Sequence, residues 1–82
     1  MKTYHIIHVK FVPPTDTDGW KVRLYSPRFK SGVNIAVKYT EQDLEIDQIA
    51  ERYLVLSGHT LVGKGEGPNG SFYLMSETFE RL

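Results

Sequence analysis

The chain has no cysteine among its 82 residues, which excludes disulfides and thiolate metal sites. Long apolar runs are missing too. The longest near the start, Ile6-Ile7, is far too short for a signal peptide or a membrane span, so a cytoplasmic protein without membrane contact is expected. Net charge is the third absence, because ten basic side chains balance ten acidic ones. A dedicated nucleic-acid binder is normally strongly basic overall and a nucleic-acid mimic strongly acidic; neither extreme applies. What is present is apolar content of 40 %, with 12 % aromatic, enough for a packed core and too much for a disordered chain. At this length, residues 1–82 form one domain.

The charges cancel in total but not locally. Residues 1–40 carry seven basic side chains against two acidic, a balance of +5, and residues 41–82 carry three against eight, a balance of −5. Such a molecule is dipolar and can orient a partner.

Hydrophobic periodicity places the elements. Ile7, Val9 and Phe11 alternate with His8 and Lys10, the period of a half-buried strand that Pro13-Pro14 ends. Asp16-Thr17-Asp18-Gly19 is turn chemistry between two apolar runs, a hairpin signal. Trp20, Val22 and Leu24 then share one face of a second strand, with Lys21, Arg23 and Tyr25 on the other. After a loop over 26–32, Val33, Ile35, Val37 and Tyr39 alternate with Asn34, Ala36 and Lys38 in a third strand. At Thr40 the period changes: Ile46, Ile49, Ala50, Tyr53, Leu54 and Leu56 make the stripe of a one-sided helix within 40–58. Thr40 or Asp43 is its expected cap, and Gly58 its expected left-handed terminator. Two short strands, 59–63 and 71–75, flank a glycine-rich connection, and Phe79 is expected to hold the tail. The order is β-β-β-α-β-β. A helix with one apolar stripe covers one face of one sheet, so the expected fold is a two-layer α+β domain, one mostly antiparallel sheet with a single helix on one face. His8, Lys10, Lys21, Arg23, Tyr25 and Lys38 would line the other sheet face, with the acids on the outer surface of the helix.

No motif supplies chemistry. Gly65 to Gly70 spells G-x-G-x-x-G, but a strand follows it where a dinucleotide site needs a helix N-terminus, so it reads as a hairpin loop. Asp16 to Asp18 begins like a calcium loop, yet Trp20 and Lys21 stand where that loop needs an oxygen ligand and a glycine. His5 and His8 project to opposite faces of a strand, whereas tetrahedral zinc needs converging ligands. His59 is open as a partner for one of them, but no carboxylate is placed to help, so the histidines read as structural or surface residues. No nucleophile elbow accompanies the serines. The expectation is a non-enzyme without cofactor.

The run VKFVPPTDTDGWKVRL (9–24), then NIAVKY and an acidic helix ending at Ser57-Gly58, resembles a diffuse group of short proteins encoded by bacteriophages and other mobile elements. In this chain Trp20 stands where such proteins often carry a smaller, polar residue. The resemblance implies a phage-like origin in a bacterial host's cytoplasm. It also implies action by blocking host machinery, as anti-CRISPR proteins do.

The expected contact residues are Lys10, Lys21, Arg23, Tyr25, Arg28, Phe29, Lys30 and Lys38. Arg28-Phe29-Lys30 suits an interface anchor, because arginine and aromatic residues are favoured at hot spots; alternatively Phe29 folds back over the open end of the core. Cations interleaved with Tyr25 suit a protein partner, a single-stranded nucleic acid or solvent alone. The first reading is a non-catalytic binding protein, a phage-type inhibitor of a host protein or protein complex. The alternative is a weak nucleic-acid binder. Monomer and homodimer both stay open.

Overall fold

A computed structural model describes residues 1–16, 19–38 and 43–82. Five strands and one helix follow the expected order: β1 (His5–Val12), β2 (Lys21–Ser26), β3 (Ser31–Ala36), α1 (Ile46–Leu56), β4 (Leu61–Glu66) and β5 (Phe72–Ser76). The strands form one antiparallel sheet in the order β3-β2-β1-β5-β4. The last hairpin therefore adds to β1, which becomes the central strand. Part of the expected 16–19 turn, together with Tyr39, Thr40 and Glu41, lies outside the described residues.

The core sits between the helix and one sheet face. Ile7, Val9, Val22, Leu24 and Leu74 from the sheet meet Ile49, Ala50 and Leu54 from α1, all at 3 % exposure or less. Ile35 and Val33 of β3, with Tyr53 and Ile46 of the helix, pack around them. The alternation in β1 and β2 is thus the in–out pattern of a sheet covered on one side.

Several local expectations change. Asp43 does not cap the helix. It lies in the turn before Glu45, the N-cap, whose backbone N–H donates to Oε1 of Gln48 at 3.0 Å. At the other end Gly58 (φ +94) does terminate α1, with its N–H on the Val55 carbonyl and that of His59 on Leu54. That bonding is a Schellman motif, which needs a left-handed residue. Leu56, the last residue of the helix, leaves the apolar stripe at 88 % exposure. Phe11 and Trp20 also miss the core. They pack on each other, centroids 4.9 Å apart, at the end of the β1–β2 pair.

The acids are not all on the outer surface of the helix. Asp47 is turned inward at 5 % exposure, 2.6 Å from Nζ of Lys64 on β4, which also approaches Glu51 at 3.6 Å. β4 itself runs further than expected, because Gly65 and Glu66 pair with Tyr73 and Phe72 instead of opening a loop. The glycines give the large β5 side chains room: a Cβ on Gly63 would stand 2.7 Å from Cε of Met75. The connection shrinks to a short 3₁₀ turn, Pro68–Gly70.

Candidate binding face

The sheet face away from α1 is the uncovered one, and registration across the strands dictates what it displays. His8 faces Tyr25 on one side and Tyr73 on the other; Tyr25 in turn faces Gly32, and Tyr73 faces Gly65. One row across all five strands therefore reads Gly32, Tyr25, His8, Tyr73, Gly65: three rings in the middle and a glycine on each edge. The next row reads Asn34, Arg23, Lys10, and Lys21 follows beside Ala36. Cations thus run parallel to rings on a single surface.

The rings are engaged. His8 and Tyr73 stack with centroids 4.5 Å apart and planes 12° from parallel. The Arg23 guanidinium lies 5.8 Å from the Tyr25 centroid and donates to Oδ1 of Asn34 at 3.4 Å. Burial, and then the charge of Lys10, lower the His8 pKa below the ordinary imidazole value, which favours the uncharged ring. Its Nε2 is out of solvent and has no hydrogen-bond partner among the described residues. Between His8, Lys10, Arg23 and Tyr25 lies a cleft of about 190 Å³. A second depression of about 300 Å³ continues from His8 and Lys10 towards Pro68, Asn69 and Ser71.

The eight residues expected to make contact are divided. Lys10, Lys21, Arg23 and Tyr25 share the open face with His8. Arg28 and Phe29 do not join them. The 27–30 turn folds to the other side, where the half-buried Phe29 ring meets His5 edge-on at 5.3 Å. Arg28 lies 5.7 Å from the Phe29 centroid and 5.1 Å from that of Phe79. Lys30 closes this turn in a left-handed conformation, φ +49. Lys38 lies past the end of β3 and borders a groove with Arg52, Tyr53 and Leu56 of the helix.

Two participants escaped the sequence reading. Tyr73 is the third ring of the row. The alternation of Phe72, Leu74 and Ser76 with Tyr73 and Met75 signals that Tyr73 opposes Leu74, but only the insertion of β5 beside β1 sets it against His8. The second is a buried polar cluster. His5, 1 % exposed, donates from Nδ1 to the Thr78 carbonyl at 3.0 Å, and its Nε2 lies 2.6 Å from Oγ of Ser26. His59 reaches Oγ of Ser76 at 3.1 Å, with its ring 5.9 Å from that of His5. A serine hydroxyl on an imidazole whose other nitrogen is oriented is the geometry of an activated nucleophile. Ser26 is nonetheless wholly buried and also receives the Phe29 N–H, so the pair braces the fold. Among the described residues no cluster of three or more potential ligands could hold a metal ion, and no helix is long and apolar enough to cross a membrane.

Comparison with protein-family models, curated proteins and solved structures finds no match.

Proposed function

We propose that this is a non-catalytic binding protein whose working surface is the open sheet face and whose ligand is single-stranded nucleic acid. One observation carries the reading: Tyr25, His8 and Tyr73 stand abreast on three adjacent strands with Lys10, Arg23 and Lys21 beside them. Sheets that bind single strands combine stacking rings with cations that neutralise phosphates. A duplex hides its base faces and gains only the charge contacts. The zero net charge sets a limit, since the acidic half repels a polyanion, and affinity is expected to be modest and largely independent of sequence. Fluorescence anisotropy with labelled single-stranded and duplex oligonucleotides tests this. Single strands should bind more tightly than duplex, with log K falling by about 0.7 per phosphate contact for each unit of log salt. Lys21→Glu with Arg23→Glu should abolish binding. Equal affinity for single strand and duplex would remove the stacking argument, and no binding at low salt would remove the function.

A second reading has its own support. The Arg28, Phe29 and Phe79 cluster is a compact cationic and aromatic group away from the open face, of the kind that anchors protein interfaces. With the resemblance to short phage proteins, it suits an inhibitor that docks on a host protein complex. Arg28→Ala with Phe29→Ala should then cost at least about 2 kcal/mol in partner affinity. Melting curves of the same variant separate that loss from a loss of fold: if stability collapses while affinity per folded molecule holds, the cluster is only structural.

A further inference from the structure

Within the open face one place is shaped for a single ring. His8 and Tyr25 are cross-strand partners, and so are Lys10 and Arg23 one row along, so the four side chains mark the corners of the cleft of about 190 Å³. Two corners are aromatic and the two on the adjoining row are cationic. This volume lies below the roughly 300–1,000 Å³ of pockets for drug-sized ligands, so the cleft seats one ring between its aromatic corners and leaves the rest of a ligand at its mouth, beside the cations. Tyr73 backs the far side of His8 at 4.5 Å and holds its plane. Arg23 is steadied by Asn34 and by the Tyr25 ring. Gly32 leaves the space these two need: a Cβ there would stand 3.3 Å from both Nη2 of Arg23 and Cδ2 of Tyr25, and 3.0 Å from the Leu24 carbonyl oxygen.

A planar ring at one end and an anion at the other are the two halves of a nucleotide. We infer that the cleft bounded by His8, Lys10, Arg23 and Tyr25 is a mononucleotide site, the base lying against the His8 and Tyr25 rings and the phosphate on Lys10 and Arg23. This rests on the nucleic-acid reading and deepens it, by making one nucleotide of the strand the anchored one. Neutral His8 suits the role, since an uncharged ring stacks on a base without a counter-ion.

The test is a ¹⁵N NMR titration with uridine monophosphate, uridine and inorganic phosphate in parallel. Uridine monophosphate should shift the amides of residues 8, 10, 23 and 25 and bind at least about tenfold more tightly than either half alone. Tyr25→Leu keeps apolar bulk on the face and should weaken the nucleotide about tenfold but phosphate much less, since Asn34 still holds Arg23. Lys10→Gln should weaken nucleotide and phosphate together, whereas Lys2→Gln, the same charge change off the cleft, should alter neither. Dispersed spectra of the variants confirm that they are folded. Binding of the nucleotide no tighter than that of phosphate, or shifts centred elsewhere, overturns the inference. If that happens while single strands still bind and lose affinity on Lys21 and Arg23 reversal, the anchored site fails and the face stands. If single strands do not bind either, both fail.

Discussion

His5 and His8 stand three residues apart on β1, and strand alternation gives them opposite fates. His8 goes to the open face. His5 goes under the sheet with His59, in a cluster closed by two serine hydroxyls and the Thr78 carbonyl. Burial, then the neighbouring His5, lower the His59 pKa from the ordinary value of 6.5, with Glu80 partly opposing them. A lowered folded pKa means that the unfolded chain takes up the proton first as pH falls, so acid favours unfolding. The stability from this group is complete above the ordinary imidazole value and is lost as pH drops below it. Melting temperature should therefore hold near neutrality and decline between pH 6.5 and about 5, before the carboxylates titrate. In His59→Gln that decline should become shallower. An unchanged slope would assign the effect to other groups, His8 among them.

At the scale of elements, α1 is short and draws its stability from the face it buries, since an isolated helix of 11 residues is marginal in water. Ile49 and Leu54 form the centre of that face at 3 % and 0 % exposure. Truncating either to alanine should cost about 2–5 kcal/mol in denaturant unfolding, as large-to-small changes in packed cores do. Losses below about 1 kcal/mol at both positions would mean that the helix contributes little to the core. On the solvent side the helix is less acidic than its composition suggests, because Asp47 is neutralised within the fold by Lys64.

At the scale of the molecule, the segment after β5 works as a strap across the open end of the sheet. It leaves β5 beside β4, where Glu77 and Thr78 bond Thr60, passes His5 with Phe79 stacked at 5.6 Å, and ends where the Leu82 N–H meets Ser31 of β3 at 3.3 Å. It thereby shields the His5 cluster. Deleting residues 79–82 should lower the melting temperature by at least about 4–8 °C, the size of a 1 kcal/mol loss in a domain this small. An unchanged melting point would make the strap an ornament of the fold. The same scale determines the open face. One helix covers one side of five strands, and the side left over carries both the rings and the cations.

The sequence by itself determined the element order, the place of the helix, the Gly58 terminator and, Phe11 apart, which residues of β1 and β2 face outward. These are local matters: a period of 2 or 3.6, a proline or a glycine, each read within a few neighbours. Only the tertiary structure decided that β5 inserts beside β1, which sets Tyr73 against His8, and that the 27–30 turn carries Arg28 and Phe29 away from Tyr25. It also brought His59 to His5 and Lys64 to Asp47. Period-2 alternation says which side of a strand a residue takes, but not which strand will be its neighbour. Strand order follows from burying the common core, an energy shared by the whole chain, and a contact between residues far apart in sequence has no local signature.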